Sequence, residues 1–310
     1  MKFNIISNID NGYGLQRDYE ILKAILEDAG HYVNGIQFQQ PVNQMAVDVN
    51  IFLETVIPLH HMAKENWYFP NPEWFELGLD GKYLGQFDRV LCKTHNAFDV
   101  FSRYTDKAEY IGFESIDRFR PGVIRKRKFI HVAGNSIVKS TDAILKAWID
   151  YRIPFDLTMI TRRPGFFDRS IYPNIRHIFR VAQDGDLSDM LNYHAFNLCP
   201  SQCEGWGHCI HEALGAGQVV ITTAAPPMNE FYIPGNWFVG VRGSKPLRLA
   251  RIYDVQPADI ATAVNAAVRM TDKEIEQQTH INRDAFIQNR ADFRGRFLKI
   301  VEEATGRLAA

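Results

Sequence analysis

Long apolar runs are missing from this sequence. The opening residues, MKFNIISNID, contain none, which excludes a signal peptide there, and no later stretch is long enough to span a bilayer. The expectation is a soluble, cytoplasmic protein with no transmembrane segment. A charge excess is missing too: 35 Lys+Arg stand against 36 Asp+Glu, so nothing global demands a nucleic acid or an anionic membrane. Cysteine is scarce, with four in 310 residues, and three of them (Cys199, Cys203, Cys209) crowd together with His208 and His211. Their spacing is not that of paired C-x-x-C knuckles, so reduced, mostly buried thiols are expected there rather than zinc. What is present is length enough for two domains of about 150 residues.

One stretch organises the rest: NLCPSQCEGWGHCIHEALGAGQVVITTAAPPMNE, Asn197 to Glu230. It reads as the end of a buried strand, a glycine-bearing loop, a helix over about 208–216, a glycine stop at Gly217 and a β-branched interior strand, Val219 to Thr223. Gly205 and Gly207 let the backbone approach a ligand closely. The helix behind them points its free N–H groups at that loop, which makes an anion site. Glu204 on the loop and Glu212 on the helix's second turn can present two carboxylates, on either side of a bound anion, to the hydroxyls of a sugar-like ligand.

This stretch resembles the donor motif of retaining glycosyltransferases with the GT-B fold, family 4 especially: a Pro-Ser pair, E-G-[FW]-G, a second glutamate eight positions after the first, a small-residue turn and V-I-[TS]. Pro200, Ser201, Glu204, Gly205, Trp206, Gly207, Glu212, Ala213, Gly217, Val220, Ile221 and Thr222 carry the match. The resemblance implies an α/β protein of two Rossmann-like, doubly wound domains facing across a cleft. It implies that Glu204 bonds hydroxyls of the transferred sugar and Glu212 the ribose. Lys139 and the N–H groups around Gly207, His208 and Cys209 would hold the pyrophosphate, with no cofactor and no metal required, because lysine and the helix end replace it.

Before that stretch, Lys2 to Asn8 reads as a first strand, Ile9 to Gly14 as a loop and 15–29 as a helix with Leu15, Tyr19, Leu22, Ile25 and Leu26 inward. Gly30 stops it and Tyr32 to Phe38 is a second strand, the opening of a doubly wound domain. Gly12 and Gly14 are candidates for close approach to the donor; a tight turn is the plain alternative. Val47 to Val56, a brief strand NWYF from Asn66, and Asp88 to Thr94 follow. Glu54, Asn71, Glu73 and His95, each near the end of an apolar strand, are the acceptor-side candidates, with Glu73 and His95 also possible catalytic groups beside Glu204 and Lys139. The family's first-domain histidine is replaced by YFPNPEW. Gly112, Asp117, Arg118, Phe119 and Pro121 resemble the family's closing signature of the first domain. The basic run RFRPGVIRKRK, 118–128, reads as a solvated linker, or as a rim for an anionic acceptor.

Phe129 to Asn135 opens the second domain, where Gly134 and Lys139 match the family's phosphate-binding segment and Asn135 stands where arginine is common. Arg162 or Arg163 could share the charge, and Val181 would lie near the nucleobase. Domains are expected at 1–125 and 126–280, with 281–310 a helix returning to the first. The function implied is transfer of a sugar from a nucleotide-diphosphate sugar to a hydroxyl acceptor, with retention. An isomerase or phosphorylase of the same fold, or a binding protein that keeps the site without catalysis, are the alternatives. The acceptor could be a glycan, a small molecule, a protein or, as a minority possibility, a modified nucleic-acid base.

Overall fold

In the computed structural model residues 1–10, 12, 14–38, 46–162, 172–179, 181 and 183–309 are described. The chain divides into two compact units. Unit 1 holds 1–115, 246–250 and 289–310, and unit 2 holds 116–245 and 251–288.

Unit 1 is built on one parallel sheet of six strands: β1 (Lys2–Ser7), β2 (Tyr32–Gln37), β3 (Val47–Leu53), β4 (Ala63–Phe69), β5 (Arg89–Cys92) and β6 (Ala108–Tyr110), in the order β2-β1-β3-β4-β5-β6. Helix α1 (Gly14–Asp28) follows β1, the short α2 (Leu77–Asp80) precedes β5, and α3 (His95–Phe101) follows it. β4 begins three residues ahead of the expected Asn66, because Ala63 and Glu65 pair with Val47 and Val49 of β3. The strands are apolar on both faces, as a sheet covered on both sides requires. Phe52, Tyr68, Phe75, Phe87 and Phe101 form a continuous aromatic core on one of them, and Phe69, Phe113, Phe293 and Phe297 pack in another group.

Unit 2 repeats the plan. β7 (Lys126–Gly134), β8 (Leu157–Thr161), β9 (Ile175–Ile178), β10 (His194–Cys199), β11 (Val219–Thr223) and β12 (Trp237–Val239) form a second parallel sheet in the order β12-β11-β10-β7-β8-β9. Helices α4 (Thr141–Asp150), α5 (Asp184–Tyr193) and α6 (His208–Gly215) connect them, and α7 (Pro257–Ala267) packs on the same core as α4, through Ile144, Ala147, Ile260 and Val264. β13 (Ser244–Leu247) and β14 (Ala250–Tyr253), absent from the sequence reading, make a separate two-stranded sheet. Its tip belongs to unit 1, where Leu249 N–H donates to Pro72 O at 3.2 Å and Arg248 lies over the Trp74 ring.

The last helix, α8 (Asp272–Ala309), runs through 38 residues and contributes to both units. Within unit 1 it is fixed by Arg294, which grips the buried Glu114 with two bonds of 2.7 and 2.8 Å, and by Arg307 on Glu65 at 3.0 and 3.1 Å. Such forked contacts hold a planar guanidinium in one orientation. Among the described residues no helix is long and apolar enough to cross a membrane.

The basic run 118–128 is solvated only in part: residues 120–124, 126 and 127 are exposed, whereas Arg118 and Arg125 are drawn into the fold. Arg125, in unit 2, donates to Asn192 O at 3.0 Å and to Ala216 O, which close the last turns of α5 and α6. A cation at the carboxyl ends of two helices satisfies carbonyls that have no helical partner. Burial lowers the Arg125 pKa to about 10. Arg118 is buried, Arg127 bonds Asp272 at 2.9 Å and Lys128 pairs with Asp156 at 2.9 Å.

Candidate functional site

A doubly wound sheet has one place where strand order reverses, and the loops leaving the carboxyl ends of the two strands there splay apart to leave a crevice. In unit 2 that place lies between β7 and β10. Gly134 ends β7 and the loop after it carries Lys139; the loop after β10 carries Glu204, Gly205, Trp206 and Gly207, then His208 and Cys209 at the start of α6. The two loops are tied where Gln202 N–H donates to Val138 O at 2.7 Å.

Lys139 and Glu204, 65 residues apart in the chain, therefore meet. Lys139 Nζ donates to Glu204 Oε1 and, at 3.1 Å, to the Cys209 sulfur. Burial opposes the ammonium charge, but the Cys209 and Glu204 groups outweigh it and raise the Lys139 pKa. Gly207 sits at φ +87°, a left-handed conformation open to glycine, and starts α6 at an angle that leaves the helix's first N–H groups on the loop side. Gly134 is also left-handed, at φ +57°, and its carbonyl accepts from Arg162 N–H at 2.9 Å. The Arg162 side chain is exposed, while Arg163 lies outside the described residues.

Glu212, one helical turn further on, has its Oε2 2.9 Å from Arg118 Nε, off line for a hydrogen bond. Arg118 also reaches Asp184 O and Ser188 Oγ at 3.4 Å. Trp206 is buried rather than open to a ligand: its ring stacks on His211 at 3.9 Å, 8° from parallel, with Phe231 edge-on. Burial pushes the His211 pKa well below its ordinary value. Ser140, in a left-handed conformation beside Lys139, has a buried hydroxyl with no bonding partner among the described residues. Val181 packs beside Ile130 and Ile160, and Glu230 is exposed in a short turn.

In unit 1 the order reverses between β1 and β3. Gly12 (φ +73°) lies on the loop after β1, Asn11 and Tyr13 of that loop lie outside the described residues, and Gly14 is the first residue of α1. Glu54 follows β3 in a strained left-handed conformation, φ 61°, and its carboxyl accepts from Asn71 Nδ2 at 2.6 Å. Burial raises the Glu54 pKa. Behind it lies a pair absent from the sequence reading: Lys93 Nζ donates to Asp18 at 2.5 Å and to Asn71 Oδ1 at 3.4 Å, with both charged side chains buried. The signal was there, since Asp18 is in phase with the apolar stripe Leu22 and Ile25, and Lys93 ends an apolar strand. The structure thus joins Glu54 and Asn71. Glu73 offers its carbonyl to Arg248 at 2.8 Å, and His95, exposed, stacks on Tyr110 at 3.8 Å.

By sequence, the chain matches no family model and no curated protein. By structure, it is similar to sucrose-phosphate synthase from Thermosynechococcus elongatus (TM-score 0.75, 11% identity, 99% of this chain and 100% of that one). It is similar also to a glycosyltransferase from Rickettsia africae ESF-5 (0.71, 12%, 98% and 98%) and to Anabaena HepE solved with UDP and glucose (0.70, 12%, 97% and 99%). Against a longer chain of the GtfA/B complex, 92% of this chain spans 60% of that one (0.60, 14%). Two parallel six-stranded sheets of this order, with such neighbours over nearly the whole chain, give this protein the GT-B glycosyltransferase fold.

Proposed function

We propose that the chain is a glycosyltransferase that moves a sugar from a nucleotide-diphosphate sugar to a hydroxyl acceptor, with retention at the anomeric carbon. The observation that carries this is the meeting of Lys139 and Glu204 at the β7–β10 switch point, in front of the N-terminus of α6. A departing nucleoside diphosphate gains negative charge, and a fixed cation beside oriented N–H groups stabilises it without reorganisation. Lys139 has three N–H donors. Glu204 and Cys209 take two, and the third is assigned to a phosphate oxygen. The N–H groups of Gly207, His208 and Cys209 complete that subsite. Glu204 accepts from sugar hydroxyls, and Glu212, oriented by Arg118, accepts from the ribose. HepE, a structural neighbour, is a complex with UDP and glucose, which favours a uridine nucleotide as the first to try.

In unit 1 we assign Glu54 and Asn71 to the acceptor hydroxyl. Asn71 occupies one Glu54 oxygen and leaves the other as an acceptor, and Lys93 with Asp18 fixes Asn71 from behind. Retention rests on the resemblance of the paired glutamates to the family motif. The test is release of nucleoside diphosphate from a panel of nucleotide sugars, with and without hydroxyl acceptors, followed by NMR of the transferred anomer. Release that depends on acceptor and keeps the donor's anomeric configuration is expected. Turnover to an isomeric nucleotide sugar with no acceptor present would overturn the assignment.

A further inference from the structure

Two thiols at the unit 2 switch point have no part in the transfer chemistry. Cys199 ends β10 and Cys209 is the second residue of α6. Cys92, Cys199 and Cys203 are buried, whereas Cys209 is partly exposed. The Cys209 sulfur accepts from Lys139 Nζ at 3.1 Å, and the Cys199 thiol donates to Asn197 Oδ1 at 3.2 Å. The first turn of α6 adds its partial positive charge.

The thiolate, not the thiol, is the nucleophile, and a neighbouring ammonium, a donated hydrogen bond and a helix start all favour it. The Cys209 pKa is accordingly lowered, by the neighbouring Cys199 thiol first and the Lys139 charge after it, against burial and the Glu204 carboxylate 3.8 Å away. Cys199 moves the other way, raised by the neighbouring Cys209 and by burial. Cys92 has no such setting: burial first, and the Glu109 charge after it, push its thiol up to about 12.

We propose that Cys209 is a modification site, a nucleophilic thiol whose capping by a soft electrophile or a peroxide closes the pyrophosphate subsite beside it. The closing half rests on the donor reading above. With an alkyl halide the sulfur bonds to carbon, the carbon–halogen bond breaks and halide leaves. With a peroxide the sulfur is oxidised and the peroxide reduced. An S–O bond forms and the O–O bond breaks. For hydrogen peroxide the departing hydroxide leaves with the thiol proton as water, and a sulfenic acid remains. Either cap places new atoms against Lys139 and the first N–H groups of α6.

The experiment treats the full chain with iodoacetamide at neutral pH, maps the label by peptide mass, and measures UDP binding by calorimetry before and after. Cys209 should take the first equivalent, several-fold faster than the urea-unfolded chain does at this residue. The Cys199→Ala and Lys139→Met variants should each slow that labelling, and the labelled wild type should lose UDP binding at least tenfold. Labelling of Cys209 no faster than in the unfolded chain would overturn the proposal, whatever UDP does. Equal UDP affinity before and after selective labelling would overturn the closing half. If the unlabelled chain binds neither UDP nor any other nucleoside diphosphate while Cys209 still labels first, the donor reading has failed, the closing half falls with it and the nucleophilic thiol stands.

Discussion

Removing one member of the Lys139–Glu204 pair should harm the protein more than removing both. The two side chains are 15% and 11% exposed, so each charge has lost most of its water and depends on the other. Breaking a buried pair from one side costs about 3–5 kcal/mol, because the surviving charge stays buried without compensation. Glu204→Gln should lie at the lower end, since an amide oxygen can still accept from Lys139. Lys139→Met should lie at the upper end, leaving the carboxylate and the Cys209 sulfur without their cation. The double variant removes both charges and should cost less than either single variant, so the two single losses do not add. Urea denaturation at pH 7 gives the three differences. Ligand binding should split them differently. On the proposed donor role, Lys139→Met would remove a charge-assisted bond to phosphate, about 1.5–3 kcal/mol, and should weaken free UDP by roughly 10- to 100-fold. Glu204→Gln should leave free UDP nearly unaffected and weaken only the nucleotide sugar. Additive stability losses, or equal losses of UDP affinity in the two single variants, would refute this reasoning.

Four further outcomes are expected. Burial lowers the His131 pKa from the ordinary 6.5 to about 4, while Leu198 O and Thr141 Oγ1 hold its two ring nitrogens at 2.8 and 3.0 Å. A depressed pKa contributes stability that is intact above 6.5 and lost as pH falls toward 4. The loss is about 3 kcal/mol, seen as a falling urea midpoint that His131→Gln should flatten over that window. Gly207→Ala must take φ +87° and place its Cβ 3.3 Å from Ile210 Cδ1, so a loss of about 1–2 kcal/mol together with weaker nucleotide binding is expected by thermal melting and calorimetry. Arg125→Met should orphan the carbonyls of Asn192 and Ala216 and destabilise by about 2–3 kcal/mol in urea, with no change in the salt dependence of ligand binding. Glu54→Gln should lower turnover with acceptor while leaving the dissociation constant of the donor unchanged.

The fold was legible because its signals are local. Alternating strands and helices, the glycine stops at Gly30 and Gly217, and the β-branched run Val219–Thr223 each report on their own few residues. β13 and β14 carry no such signal, because an exposed pair with Pro246 in it has neither period nor apolar face. The contact between Lys139 and Glu204 depends on β7 and β10 being neighbours, which no spacing states; only the family motif connected them beforehand. Charged residues were misjudged where burial decided. Arg118 and Arg125 looked solvated in a basic run, yet one lies beside Glu212 and the other closes two helices. Lys93 and Asp18 went unread for the same reason: each is charged, and each sits in register with an apolar face.

The account's central claim is that the β7–β10 switch point of unit 2 takes a nucleotide-diphosphate sugar. The most direct measurement is thermal stabilisation against a panel of nucleotide sugars and free nucleotides, repeated with Glu212→Ala. A ligand that binds only the folded chain raises the melting temperature, by about 2.7 kcal/mol of stability at a hundredfold excess over its dissociation constant. A rise with one class of nucleotide, lost or strongly reduced in the variant, is the predicted result. No rise with any nucleotide or nucleotide sugar, or an equal rise in Glu212→Ala, would contradict it.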